Sequence, residues 1–402
     1  MQAGDPDVPA GWSAGALLQL VRSGRAATRS ELGRLTGLSR TAVNARLDDL
    51  RRLDLVVETG RGPSTGGRPA GRVDFHPQGG VVLAASLGLT RSQLAVCDLS
   101  GDVLTQVSLE LDLTQGPAPV LDRVGVELER LLHDADRTSD VVRGAALALP
   151  GPVEASAGRL VRPPGLPGWS EVPVRPHLTR RWPVPTTVDN DVNAMAVAEH
   201  RAGGYDDATD VLLVKVSTGI GAGLVLGGRI HRGAVGAAGD IGHTAVQDAD
   251  GIVCRCGNVG CLEAVASGAA VVRQLAALGR DVHRVPDVVA LVEAGDAEAH
   301  GLVRLAGRRL GEVLAQAVNL LNPSVLVLAG DLSLAQEPLL AGVREAVYAR
   351  ATTRAARDLD IRPGTLGEQA GLVGCAVTVL DQVLAADAVD RELARRGSRV
   401  AT

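Results

Sequence analysis

The sequence predicts an α/β protein in two parts: a small helical head over residues 12–76, and a larger body over residues 77–402 in which strands alternate with helices. Three observations carry this. The head shows three short helical periodicities, then two short strand-like runs around a Gly/Pro-rich loop. From Gly80 onward, strand-length apolar runs at 80–104, 143–149, 211–216 and 324–330 are interleaved with helical stretches such as 118–133 and 297–321. Within the body, residues 239–267 gather His243, Cys254, Cys256, Cys261 and Glu263 into one short segment.

Composition narrows the function. With 46% apolar residues and 402 positions, the chain has ample material for buried cores. A formal charge of −5 excludes a globally basic nucleic-acid binder, yet residues 1–76 hold 11 Arg against 8 Asp plus Glu, so any nucleic-acid contact is expected to be regional. Only six aromatic residues (Trp 3, Tyr 2, Phe 1) argue against single-strand binding on stacked platforms. No apolar run reaches the roughly 18 residues of a membrane span, and the opening residues lack a leader pattern, so a cytoplasmic protein without a membrane partner is expected. Lys215 is the single lysine among 41 basic residues, a bias that points to a G+C-rich genome.

In the head, residues 1–11 are Gly, Pro and Asp-rich and are expected to lack fixed structure. Leu17, Leu18 and Val21 recur at helical spacing. Thr28 to Glu31 forms a capping box for a second helix carrying Leu32 and Leu35, which Gly37 ends. Ser39 caps a third helix with Val43, Leu47 and Leu50 on one face. Thr41, Asn44, Ala45 and Asp48 fall on the opposite face, with Arg40 at its edge. This is a helix-turn-helix whose third helix suits a major groove, through Ser39, Arg40, Thr41 and Asn44. The runs at 55–58 and 72–75 flank a Gly/Arg/Pro loop and read as a wing; alone, that loop reads equally as a flexible linker. A trihelical protein-interaction module is the competing reading.

Three thiols and one imidazole at this spacing, His243, Cys254, Cys256 and Cys261, can close a tetrahedron around one zinc ion, a structural site with no open position. The other two cysteines, Cys97 and Cys375, stand far away in sequence, so a secreted disulfide framework is not indicated.

Gly242-His243 followed by C-x-C-G-x-x-G-C-L-E resembles the signature of the ROK family, bacterial sugar-responsive repressors and sugar kinases. The resemblance implies a two-lobed actin-like ATPase (ribonuclease H-like) body behind a winged helix-turn-helix. It implies that Asn190, Asp191, Asp240, His243 and Glu263 line a sugar pocket, Asp191 being the general base in a kinase and His243 doubling as a zinc ligand. Taken alone, Asp189 and Asp191 serve equally well as helix caps. Thr218, Gly219 and Gly221 resemble the second phosphate loop. In the first, Ser86 stands where the family has an acidic residue and Leu89 where it has a glycine, which argues against phosphoryl transfer. In repressors of this family the wing reaches the minor groove, a role for Arg68, with Arg61 or Arg72 on phosphate.

The expected protein is a sugar-responsive regulator that binds double-stranded DNA as a homodimer or tetramer, with structural zinc. The alternative is an ATP-dependent sugar kinase using Asp191.

Overall fold

The computed structural model describes residues 11–61, 71–247, 249 and 251–400. Arg68 and, apart from Gly11, the N-terminal segment of residues 1–11 lie outside them. The head is built as its caps dictate. Helix α1 (Ala14–Arg22) starts where Ser13 Oγ accepts from Ala16 N at 3.1 Å. Helix α2 (Arg29–Thr36) starts at Thr28, whose Oγ1 accepts from Glu31 N, and ends at Gly37 with φ 71°. The Glu31 carboxylate reaches back to the Ala27 amide at 2.8 Å, one residue earlier than a capping box requires. Helix α3 (Arg40–Arg52) is capped by Ser39 and buries Val43, Leu47 and Leu50, whereas Leu35 at the end of α2 is 40% exposed. Strands β1 (Val56–Arg61) and β2 (Gly71–Phe75) pair antiparallel, from Val56 opposite Phe75 to Arg61 opposite Gly71.

The body has two lobes, each around a five-stranded sheet. In the first, β3 (Val81–Ser86), β4 (Ser92–Asp98) and β5 (Val103–Leu109) form an antiparallel meander. Helix α4 (Pro117–Asp134) leads into β6 (Val142–Leu149), parallel to β3. A small hairpin, β7 (Val153–Glu154) and β8 (Arg159–Leu160), and helix α5 (Arg175–Thr179) precede β9 (Thr186–Asn190), parallel to β6. The order is β5-β4-β3-β6-β9.

Helix α6 (Asp191–Ala202) crosses to the second lobe, where β10 (Val211–Val216), β11 (Ile220–Leu226) and β12 (Arg229–His231) repeat the meander. Helices α7 (Leu262–Ala266), α8 (Gly268–Ala277), α9 (Val285–Glu293) and α10 (Ala297–Leu321) follow. Strand β13 (Val325–Ala329) lies parallel to β10; helices α11 (Glu337–Arg350) and α12 (Thr353–Ala356) lead to β14 (Asp360–Pro363). The order β12-β11-β10-β13-β14 mirrors the first sheet. No single helix among the described residues is long and apolar enough to cross a membrane.

Helix α13 (Ala370–Val383) lies on β3 and β6, α6 lies on β10 and β11, and the two helices pack on each other between the sheets. The chain then returns to its start. Helix α14 (Ala386–Val400) packs on α1: Gly15 N donates to Asp390 Oδ1 at 2.9 Å, and Gln19 Nε2 donates to the Leu384 carbonyl at 2.6 Å. One continuous apolar cluster joins Leu17, Leu18 and Leu47 of the head to Leu372, Val379, Leu384 and Val389. The head is therefore welded to the first lobe through a C-terminal helix that the sequence pattern did not reveal.

Candidate functional site

A cleft of about 1050 Å³ opens between the lobes. Asn190 and Asp191 enter it where β9 runs into α6. Asn190 itself is the helix cap: its Oδ1 accepts from Val192 N and Asn193 N (2.9 and 3.1 Å), and its Nδ2 donates to the Gly151 carbonyl at 2.8 Å. The flanking carboxylates each accept one backbone amide, Asp189 Oδ1 from Asn190 N at 2.8 Å and Asp191 Oδ1 from Val192 N at 2.9 Å, and each faces a cation of the other lobe. Asp189 Oδ2 accepts from Arg232 Nε and Nη2 at 2.8 and 2.6 Å, while its Oδ1 accepts from Asn193 Nδ2 at 3.0 Å. Asp191 Oδ2 accepts from Lys215 Nζ at 2.6 Å. Burial alone would lower the Lys215 ammonium. The charge and hydrogen bond of Asp191, with Asp331 beyond, outweigh it and hold Lys215 above the ordinary lysine value.

The opposite wall comes from the metal-ligand segment. Glu263, in the first turn of α7, is buried and accepts from Arg255 Nε and Nη2 at 2.7 and 3.0 Å and from Ile220 N at 3.0 Å. Asp240 lies beside it; burial pushes its carboxyl upward, the charge of His243 opposes this and that of Glu263 adds to it. His243 points its Nε2 toward Asp240 Oδ1 at 3.8 Å and its Nδ1 toward Cys254 Sγ at 3.6 Å.

The ligand atoms of His243, Cys254, Cys256 and Cys261 all lie within 4.8 Å of one another. Zn–S bonds of about 2.3 Å make tetrahedral S···S edges of about 3.8 Å and N···S edges of about 3.6 Å. The Cys256–Cys261 separation is 3.7 Å and Cys254–His243 is 3.6 Å, so this donor set fits a tetrahedral metal. Two isolated bridges, Ala245 with Cys261 and Val253 with Val259, bring the four ligands together.

Between the walls runs the β10–β11 turn Ser217–Gly219, with Thr218 and Gly219 of the turn and Gly221 of β11 lining the cleft. A methyl on Gly219 would come within 2.5 Å of Glu263 Oε2 and 2.6 Å of Arg255 Nη2, so a side chain there would push the Arg255–Glu263 pair aside. Ser86–Thr90 lines the first-lobe side, where Leu89 is 39% exposed, and Ser86 Oγ packs against Gly371 of α13.

Residues 82–382 match the ROK family. The chain belongs to this family. The putative xylose repressor of Caldicellulosiruptor sp. (strain Rt8B.4) is 29% identical over 382 residues, covering 92% of this chain and 95% of its own. A glucokinase of Halalkalibacterium halodurans is 31% identical, covering 73% of this chain and 92% of its own. Among solved structures, a ROK family transcriptional regulator described as a homolog of E. coli MLC protein superposes with a TM-score of 0.80 at 26% identity, covering 94% of this chain and 98% of its own. Residues 82–402 are 321 of 402, or 80%, so the matches at 92% and 94% extend into the head.

In this ROK chain the cleft holds all five residues expected of it: Asn190, Asp191, Asp240, His243 and Glu263. Three cations were missed by sequence reasoning: Lys215, Arg232 and Arg255. The signal for one was present, since the only lysine in a chain that otherwise uses arginine sits two residues before the glycine-rich loop's serine-threonine pair. On the head, Arg40, Thr41, Ala45 and Asp48 are exposed on α3 as expected. Asn44 is half-buried, its Oδ1 accepting from Arg29 Nε at 3.0 Å, and Glu58 on β1 pairs with both Arg29 and Arg51. Arg51 also pairs with Asp48 at 2.7 Å, so the acid on this face is already neutralised.

Proposed function

We propose that this ROK protein is a sugar-responsive transcriptional repressor whose head binds double-stranded DNA and whose cleft binds a carbohydrate without phosphorylating it. The observation that carries this is the single apolar cluster joining the head to the lobe that carries Asn190. A head fused to the helix stack beside the cleft feels any change in how α6 and α13 pack.

Ser39, Arg40, Thr41 and Asn44 present the N-terminal turn of α3 to base edges, with Arg68 on the wing in the minor groove. A two-headed reader requires two copies, so the working unit is at least a homodimer. The sugar lies among Asn190, Asp191, Asp240, His243 and Glu263, beside the anion-binding loop at Thr218, Gly219 and Gly221. Zinc on His243, Cys254, Cys256 and Cys261 supplies rigidity, holding Glu263 and His243 in one frame.

Loss of catalysis is supported at two points. Asp191 must accept a proton to serve as general base, and the Lys215 ammonium at 2.6 Å occupies the Oδ2 oxygen that would receive it. Leu89 occupies the first loop where phosphates need open backbone. The 31% identical glucokinase keeps the kinase reading in view. The test is a coupled assay of ADP release with hexoses, pentoses and amino sugars, run beside selection of binding duplexes from random DNA. We expect an enriched duplex and no turnover; kinase rates of about 1 to 100 per second without duplex binding would refute the proposal.

A further inference from the structure

The exposed face of α3 opens on a groove of about 390 Å³ lined by Arg29, Arg40, Asn44, Asp48 and Arg51. Two of its three guanidinium groups are tied to one acid. Glu58, on β1, accepts at Oε1 from both Arg29 Nη2 and Arg51 Nη2. Arg51 is held between two carboxylates, since its Nη1 also donates to Asp48 Oδ1 at 2.7 Å. Arg29 is held between Glu58 and Asn44, to whose Oδ1 its Nε donates at 3.0 Å. The Arg29–Glu58 pair lies against the start of β2, where a methyl on Gly71 would meet Arg29 Nη1 at 3.4 Å and Glu58 Oε2 at 3.6 Å. Of the three arginines, Arg40 has no ion pair among the described residues.

Stability does not account for this arrangement. The side chains of Arg29, Arg51 and Glu58 are 30%, 31% and 42% exposed, and ion pairs so open to water contribute little to folding. Their charge acts outward instead. Three arginines against Asp48 and Glu58 leave +1 on a face that would carry +2 without Glu58. Arg29 opens α2, the helix that crosses the phosphate backbone in a helix-turn-helix. Binding to DNA of any sequence is essentially the neutralisation of phosphates by such cations. A guanidinium committed to Glu58 is withheld from that interaction, because a phosphate reaching it meets a carboxylate of its own sign. Arg29 also steadies Asn44, one of the side chains offered to base edges. An Arg29 that turned to phosphate would release Asn44.

We infer that Glu58 sets sequence selectivity: it withholds Arg29 and Arg51 from phosphates and, through Arg29, keeps Asn44 seated for a base edge. Glu58 is thus a positioning residue that reads no base itself. This rests on the head binding duplex DNA.

The test compares the full-length protein with Glu58→Gln by fluorescence anisotropy over a range of salt, on the duplex selected from random DNA and on a scrambled duplex. The slope of log affinity against log salt is about −0.9 per phosphate neutralised, so two released arginines should steepen the scrambled-duplex slope by about 1 to 2 and raise that affinity about tenfold at about 0.1 M salt. The selected duplex should gain less, because Asn44 loses its holder. The ratio of selected to scrambled affinity should fall about fivefold or more, the discrimination carried by one base contact. A ratio that holds or rises would overturn the inference, as would a scrambled-duplex affinity that does not rise or a slope that does not steepen; each leaves the repressor reading intact. No binding of any duplex by the unaltered protein would overturn both. Should Glu58→Gln fail to fold by circular dichroism, Arg29 and Arg51 then repelling each other, the double variant Glu58→Gln/Arg51→Gln decides. It keeps the net charge and releases Arg29 alone, so the scrambled-duplex slope should steepen by about 1, and an unchanged slope overturns the inference.

Discussion

Gly15 tests the weld between head and body. In α1, exchanging glycine for alanine in an exposed helix stabilises by about 0.5–1 kcal/mol, because the backbone loses less freedom on folding. At Gly15 the added methyl would sit 2.0 Å from the Ala386 carbonyl oxygen and 2.7 Å from its Cα. Both atoms are backbone of α14, so no side chain can rotate away. Relief requires α1 to move from α14, which strains the Gly15 to Asp390 hydrogen bond and opens the apolar seam at Leu384 and Val389. Overpacking of this kind costs about 1–3 kcal/mol. The clash therefore wins, and Gly15→Ala should destabilise by about 1–2 kcal/mol net. Gly301 in α10 is the control, because a methyl there meets nothing within 4 Å, and Gly301→Ala should stabilise. The measurement is the urea midpoint of both variants, with duplex affinity measured alongside. Equal or greater stability in Gly15→Ala would refute the claim that α14 holds the head.

Further outcomes follow from the same geometry. Arg232→Met leaves the buried Asp189 carboxylate without its cation and should cost about 3 kcal/mol in the urea midpoint; a change under half that would show the cross-lobe pair to be dispensable. In the metal-free chain burial first, then the neighbouring thiols, pushes Cys261 up to about 12. A thiol pKa raised on folding contributes stability below about pH 8.5 that is lost as pH climbs toward 12. Zinc must also displace that proton, so the Tm gap between zinc-loaded and chelated protein should widen with rising pH. A gap that is absent, or that narrows with pH, contradicts the site. Arg40→Ala should weaken duplex binding by about 1–3 kcal/mol and relax preference at one base position; uniform weakening across sequences would reassign Arg40 to phosphate.

Much of this was legible in the sequence because local chemistry dictated it. Ser39 and Thr28 cap helices wherever a helix can start, and the three apolar positions of α3 bury at helical spacing. The spacing of His243, Cys254, Cys256 and Cys261 held because a metal tetrahedron tolerates little variation. What escaped was long-range pairing. Lys215 meets Asp191 across 24 positions and Arg232 meets Asp189 across 43, and no periodicity encodes such partners. The α14 contact with α1 spans 375 positions at Gly15 and Asp390, and a solvent-facing amphipathic helix reads the same whether or not it docks. The Asn190 cap was not anticipated, Asp189 and Asp191 being the capping alternatives, because all three residues of Asp-Asn-Asp are good caps and the choice falls to the tertiary partners of the two aspartates.

The central claim is that ligand in the cleft changes how the head holds DNA. Fluorescence anisotropy of the selected duplex, titrated with protein at fixed salt and repeated with each saturating sugar, measures this directly. The account predicts that at least one sugar shifts the dissociation constant tenfold or more, about 1.4 kcal/mol of coupling, with ATP neither required nor consumed. A duplex affinity unchanged by every sugar that binds the cleft would contradict it.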